Sequence, residues 1–429
     1  MIEIDVDKIS KFIGKYSLGK DNGNESLHFL RIKIPGGVIS ADKFYEIAEM
    51  AEYYGRGYAE ITNRQDIQLH WIDAETALEV FERLYKMGYT TDLCGQAFSK
   101  ACHGDVRNIV SCPISGKASK DLTEYVFELN DYFSGNPEFL RLPHKFKIAF
   151  TSCGYDCVRI KANDLSLIWT DDGFVPFVGG GMGISHPGIR FAESLNVLIP
   201  EEIVFDFVKA VVEIYRDYSN KESKMKARFK NLVHSWGVEK LREKIEEKIG
   251  KLRDYRKLDL QMIEHRKGIQ WNDLQYYTLP LLGTLNAEKM KIIAELSKEF
   301  GSGELRLTPW QNVMFTDVED LDGLKDILSE HFSIKEYYTA IACPSNFCGR
   351  TTVHARDVLE NIAEFGNVAV SGCANGCSCH RLADIGLVGK FKKGIQVYDL
   401  YIRGELVMND LKPEEILKVL KEGCYEIKA

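Results

Sequence analysis

The 429-residue chain has no run approaching the roughly 20 consecutive apolar residues that a membrane-spanning helix needs, so no helical span is expected. Its first residues, MIEIDVDKISKF, are charged and lack the apolar core of a secretory signal, so the expected location is cytoplasmic. Positive charge is in deficit: 55 Lys and Arg stand against 63 Asp and Glu, a formal net charge of −8. A general nucleic-acid binder, or a protein held on anionic lipid, would carry the opposite balance. Only local basic positions remain to serve an anionic ligand. Low-complexity linkers are also missing, so no break in composition marks the domain edges. At 45% hydrophobic and 28% charged, the chain is otherwise an ordinary globular sequence, long enough for two or three domains.

What the chain does hold is cysteine. There are eleven; in a reducing compartment clustered ones are read as metal or redox ligands and not as disulfides. The densest stretch is SGCANGCSCHRLADIG (371–386), with Cys373, Cys377, Cys379 and His380. Upstream lies ACPSNFCGR, with Cys343 and Cys348. Four thiolates in two pairs suit a [4Fe–4S] cube, in which each iron takes one protein ligand. Tetrahedral zinc takes the same number, and buried structural thiols are the third reading. The Cys-x-x-Cys of a thioredoxin-like pair is absent. Cys379 reads as a small buried residue and His380 as a structural hydrogen-bonding group. TSCGYDC repeats the Cys-x3-Cys spacing at Cys153 and Cys157, and Cys112 in SCPIS faintly echoes ACPSN. These three read as structural, with a second cluster drawn from Cys94, Cys102, Cys112, Cys153 or Cys157 as the lesser alternative.

The chain also repeats itself. Residues 37–65 align without gaps on 283–311, with ten identities, among them Ala41, Lys43, Ile47, Ala48, Glu49, Gly55, Gly57, Thr62 and Gln65. Each copy reads as strand, helix, strand. Ser40 and Asn286 are the expected N-caps, with Asp42 and Glu288 in the first turns. Phe44, Ile47, Ala48 and Ala51 recur at helical spacing until Gly55-x-Gly57 ends the helix. Two copies make a pseudo-twofold arrangement and not a solenoid. Between them, 99–200 is rich in glycine and β-prone runs, while 200–262 is helical in pattern and highly charged.

Taken together, SGCANGCSCHRLADIGLVG, RLTPWQN, ITNRQDIQLH and KIPGGV resemble the sulfite and nitrite reductases that carry sirohaem beside a [4Fe–4S] cluster. The likeness runs from about residue 28 to 400 in the family's order. It implies an α+β, pseudo-twofold duplicated sulfite reductase fold with ferredoxin-like half-repeats and two sirohaem/cluster-binding α/β lobes. The implied domains are 22–98 and 275–335 for the half-repeats, 99–200 for a sirohaem and substrate lobe, 201–274 for a helical charged segment, and 336–429 for the cluster lobe. The implied reaction is six-electron reduction of sulfite to sulfide, or of nitrite to ammonia, at sirohaem iron. Electrons would come from a separate donor such as ferredoxin or a flavoprotein, because no inserted ferredoxin run and no flavin domain are present.

The resemblance also assigns residues. Cys343, Cys348, Cys373 and Cys377 match the cluster ligands, and Cys377 matches the thiolate shared with sirohaem iron. The first pair has four intervening residues where the family has five. Arg31, Arg107, Lys145 and Lys147 match the cations over the substrate face; Lys145 and Lys147 alternate about Phe146, so a strand would aim both to one side. They would bind the oxyanion and deliver protons. Thr62, Arg64, Gln68, Gln311 and Asn312 match sirohaem contacts, as does the run Gly179, Gly180, Gly181. That run lacks the spacing of a nucleotide loop. Trp310 is expected in the core, and His144 stands where many members have arginine. Lys-x-Lys at 145–147 points to sulfite, whereas plant-type nitrite enzymes carry Lys-x-Asn.

Overall fold

The computed structural model describes residues 12–20, 27–94, 104–153, 156–255, 270–271, 274–337, 339–348 and 353–423. The first eleven residues and Cys102, which enter the expectations above, lie outside them. Both copies of the repeat fold as their caps dictate. Helices Ala41–Tyr54 and Ala287–Phe300 begin where Ser40 and Asn286 accept the amides of Lys43 and Lys289, at 3.4 and 2.8 Å. Asp42 and Glu288 lie in the first turns, where the helix dipole favours negative charge. Phe44, Ile47, Ala48 and Ala51 form the buried stripe of the first helix, as their spacing predicts.

Each half gives a strand to the other. The first sheet runs 19–20, 27–32, 67–73, 58–61, 284–286; the second runs 270–271, 274–279, 313–318, 304–307, 38–40. The short strand before each helix therefore pairs, antiparallel, in the opposite sheet: Leu285 opposite Ala59, and Ile39 opposite Leu305. Ala41 N–H donates to Gly303 O at 2.7 Å, and Ala287 N–H to Gly57 O at 2.8 Å, so the exchange is symmetric. Gly37, at φ +73°, lies so close to the Leu307 carbonyl that a Cβ would collide with it. Both helices and both sheets share one hydrophobic core.

Two further five-stranded sheets, with a two-stranded one pairing 197–198 and 253–254, carry the remaining chain, and the two larger ones match each other. Strands Val110–Ser111, Ile148–Thr151 and Leu165–Thr170 pair in parallel, followed by antiparallel Gly173–Val178 and Glu193–Ser194. The second lobe repeats this order with Ile341–Ala342, Val368–Ser371, Ile385–Lys392, Ile395–Ile402 and Glu405–Leu411. Helices Val204–Tyr218 and Phe229–Ile249, the latter interrupted at Gly237 (φ 76°), share the core of the first lobe. This is the duplicated α+β architecture with ferredoxin-like half-repeats. Among the described residues no helix is long and apolar enough to cross a membrane.

One buried ion pair locks the second lobe onto the first half. Arg356 Nε lies 2.9 Å from Glu60 Oε1, its Nη1 donates to the Leu282 carbonyl, and Glu60 Oε2 meets His70 Nε2 at 3.2 Å. Burial would raise the Glu60 carboxyl, but Arg356, His70 and Tyr58 overrule it and hold it at about 2. Arg356→Met leaves this carboxylate buried and unpaired and is expected to cost about 3–5 kcal/mol, read by chemical denaturation. The wild-type contribution of Glu60 is present above the ordinary carboxylate pKa of about 4.3 and is lost as pH falls through about 2. An Arg356→Met variant that unfolds at the wild-type denaturant midpoint would show that the lock is dispensable.

Candidate active site

Arg31 leaves the strand Leu27–Ile32 and is fixed by Gln68, whose Oε1 accepts from its Nε at 2.9 Å and its Nη2 at 2.8 Å. Its Nη1 lies 3.5 Å from Asp92 Oδ2, and Arg107 Nη1 lies 3.6 Å from the same oxygen. Asp92 thus pins both guanidinium groups. Burial alone would raise its carboxyl, yet Arg107, Arg31 and Lys33 hold it at about 2. Cys94 Sγ also approaches the two arginines, at 3.4 Å from Arg107 Nη1 and 3.9 Å from Arg31 Nη1.

Lys145 and Lys147 flank Phe146, which is fully buried and bridges to Val106 beside the strand Val110–Ser111. Removal from water lowers the Lys145 ammonium; Cys377 opposes this, while Arg228, Arg107 and Arg31 add to it. Lys147 is pushed down to about 7, by burial first and then by Lys145 and Arg64. The four cations expected over the substrate therefore share one neighbourhood with the Cys377 thiol.

The second lobe brings three of its cysteines, Cys348, Cys373 and Cys377, near Cys343, and Cys377 near Lys145. Cys343 follows the strand Ile341–Ala342 and its sulfur accepts the Gly372 amide at 3.1 Å. Burial pushes its thiol up, and Cys377, Cys348 and Cys373 act in the same direction, so those three lie within electrostatic reach of Cys343. The shortened loop seats Phe347 against His70, ring centroids 3.8 Å apart. Cys377 is the exposed thiol of the set, and Asn63 donates to its carbonyl oxygen. Cys379 is buried against Ala162 and Met182. His380, held near Ser371 Oγ at 3.4 Å, is pushed down to about 4 by burial and Arg381, and so is a neutral imidazole.

Several residues matched to cofactor contacts have their side chains engaged within the chain. Gln311 Nε2 donates to Ile61 O at 2.9 Å and its Oε1 accepts from Ala342 N–H at 3.0 Å. Gln65 is its twin, joining Leu307 O to Ser111 N–H at 2.7 and 2.9 Å. Both glutamines sit at positive φ in matching turns. Thr62 Oγ1 donates to Asp66 Oδ2, and Asn312 Oδ1 accepts from Leu281 N–H, each at 3.0 Å. Gly180 packs against the carbonyls of Asn163 and Lys161, where a Cβ would collide, and Gly183 meets Asn375 O in the cysteine loop. Trp310 is buried with Ile341, Ala369 and Ala383, under the Arg159 guanidinium at 4.5 Å.

Sequence reasoning missed Arg228 and Lys230, which lie in the segment read as a charged helical face. Arg228 Nη2 lies 3.0 Å from Asp164 Oδ2, and Lys230 Nζ donates to the carbonyls of Gly183 and Gly188. Both are buried. Alternation of apolar Phe229 with the two cations was the one available signal. Arg64 is equally enclosed: Nη1 donates to Asn163 Oδ1 at 2.9 Å and Nη2 to Asn108 O at 2.6 Å. Burial lowers its pKa, and the Nε atoms of Arg64 and Arg228 have no hydrogen-bond partner among the described residues. Asp66, pushed up to about 8 by burial and Asp92, adds little counter-charge.

Enclosed cations in excess over ionised carboxylates fit an anionic group, and four converging thiols are the donor set of an iron–sulfur cluster. Together they define a class: a redox protein that handles anions beside a metal centre bound through sulfur. Residues 102–252 match the nitrite and sulphite reductase 4Fe-4S domain, and 20–87 with 275–331 match the nitrite/sulfite reductase ferredoxin-like half domain. The chain is 30% identical to the assimilatory ferredoxin-dependent nitrite reductase of Haloferax mediterranei, across 88% of this chain and 73% of that one. It is 27% identical to sulfite reductase [ferredoxin] 2 of Mycolicibacterium paratuberculosis, across 85% and 70%. The Mycobacterium tuberculosis NirA protein has a similar fold, with a TM-score of 0.83 at 22% identity over 97% of this chain and 86% of that one. The chain belongs to the nitrite and sulfite reductase family of oxidoreductases, whose members carry sirohaem and a [4Fe–4S] cluster.

Proposed function

We propose that the chain reduces sulfite to sulfide with six electrons, and that Lys145 and Lys147 carry this assignment. Sirohaem, when bound, supplies the iron that takes the anion and accepts electrons from the cluster. Cys343, Cys348, Cys373 and Cys377 would hold that cluster, and Cys377 would be the ligand that links it to sirohaem. Arg31 and Arg107 keep their charge and bind the substrate oxygens, because with Lys33 they outnumber their carboxylate partners Asp92 and Asp105. The two lysines, both shifted below the ordinary range and Lys147 to about 7, serve as proton donors as oxygen leaves as water. Arg64, whose buried Nε has no partner among the described residues, would pair with a sirohaem carboxylate. Thr62, Gln68, Gln311, Asn312 and Gly179 to Gly181 shape the same cofactor pocket, Gln68 also by orienting Arg31. Relatives named for ferredoxin support ferredoxin as the electron donor here, with a flavoprotein the other choice.

Nitrite is the second reading, favoured by the 30% identity to a nitrite reductase. Steady-state rates with both anions and one reduced donor decide between them. Sulfite is expected to show the higher kcat/KM, and Lys147→Asn to move the ratio toward nitrite by about tenfold, or ~1.4 kcal/mol. A wild-type protein with the higher specificity constant for nitrite would overturn the assignment.

A further inference from the structure

Away from the cleft, three more thiols meet. Cys112 follows the strand Val110–Ser111, Cys153 follows Ile148–Thr151, and Cys157 precedes the turn Ile160–Ala162. Their sulfurs stand 3.3 Å (112 to 153), 3.5 Å (112 to 157) and 3.1 Å (153 to 157) apart. They are enclosed by Val110, Ala149, Val158, Ile160 and Ile168. No step proposed above uses them.

The pseudo-twofold relation says what this place is. Cys112, Cys153 and Cys157 occupy, strand for strand, the positions of Cys343, Cys373 and Cys377 in the second lobe. The following turns match as well, with Arg159 at φ 55° and Cys379 at φ 58°. The counterpart of Cys348, five residues beyond Cys112, is Lys117, which is turned to Asp317 at 2.8 Å. The first lobe therefore keeps three of the four ligand positions. A cube places each thiolate on a separate iron and spreads its ligands widely; sulfurs in mutual contact suit a single ion.

We propose that Cys112, Cys153 and Cys157 form a three-thiolate site for one thiophilic divalent cation, zinc. Tetrahedral Zn–S bonds of about 2.3 Å put the sulfurs about 3.8 Å apart, so the trio needs to open by only a few tenths of an ångström. Three thiolates on a divalent ion leave one net negative charge in an apolar pocket, where a monovalent ion would leave two. Cys153 is half-exposed and gives the ion its entry, and Thr151 Oγ1, 3.4 Å from Cys153 Sγ, stands beside the fourth position. The ion would staple the loop that continues into Arg159, which donates to Ser378 O at 3.3 Å, and Asn163, which holds Arg64. It is thus a structural centre placed behind the cofactor cleft and independent of the substrate assignment.

The test uses holoenzyme purified without oxidation, equilibrated with excess zinc chloride and then dialysed. Elemental analysis is expected to find about one zinc per chain, with a sulfur-dominated shell in zinc X-ray absorption. Zinc is expected to fall to background in a Cys153→Ser/Cys157→Ser variant whose iron content is unchanged. Wild-type protein without zinc, zinc bound through nitrogen and oxygen, or zinc retained by the variant would each overturn the proposal. So would a Cys153–Cys157 disulfide in peptide mass mapping, or extra iron in wild type that the variant loses. Should the double variant fail to fold, Cys153→Ser alone, at the half-exposed position, and the wild-type measurement decide.

Discussion

Cys377→Ser is expected to lower turnover of either anion by at least about 100-fold, the scale on which even groups behind a metal ligand act. The thiolate is the ligand form of cysteine, and a serine hydroxyl does not ionise to replace it. Of the four converging thiols, Cys377 is the exposed one, and it lies within electrostatic reach of Lys145. The matched control is Cys379→Ser, two residues on, whose buried side chain packs on Ala162 and Met182. It is expected to retain turnover. Rates from a reduced donor, with electron paramagnetic resonance of the cluster, separate the two. Loss of activity in Cys379→Ser with Cys377→Ser active would move the shared ligand to Cys379.

Lys145→Met is expected to reduce kcat/KM for sulfite by about 10²- to 10⁴-fold, the range in which a positioned proton donor contributes. With the lysines as the proposed acids, activity is expected below their folded pKa and is lost as pH rises through it. For Lys147 that limb begins near 7, well below an ordinary lysine, because burial, Lys145 and Arg64 all oppose its charge. Bound anions oppose the shift and carry the limb upward from there. Lys147→Arg keeps its charge at every accessible pH and is expected to remove the limb that begins near 7, leaving the one set by Lys145, while lowering the rate. The measurement is kcat/KM from about pH 6 to about pH 10, spanning the shifted and ordinary lysine ranges. A Lys145→Met protein within tenfold of wild type would show that proton delivery runs elsewhere.

The two sets of residues behind these predictions differ in how they could be read. Cysteine spacing is a local property, and so are helix caps; Ser40, Asn286 and the apolar stripe from Phe44 to Ala51 therefore behave as the sequence indicates. The repeat was legible for the same reason, since two copies of one local pattern align without reference to the fold. Gln311 shows the limit. Its motif marks it as important, yet its amide joins Ile61 to Ala342 across the two halves, a partnership with no short-range signature.

By itself, then, the sequence determined the duplicated strand–helix–strand units, the paired cysteines of the second lobe and the Lys-x-Lys beside Phe146. Caps, periodicity and ligand spacing act over a few residues and need no tertiary partner. Only the tertiary structure decided that each half gives its short strand to the other's sheet, because strand pairing depends on which edges meet. It also decided that Arg228 and Lys230 are buried: charge in a sequence says nothing of burial until distant carbonyls and carboxylates close around it. The meeting of Cys112 with Cys153 and Cys157 has the same origin, since parallel strands bring together residues that are 41 and 45 positions apart in the chain.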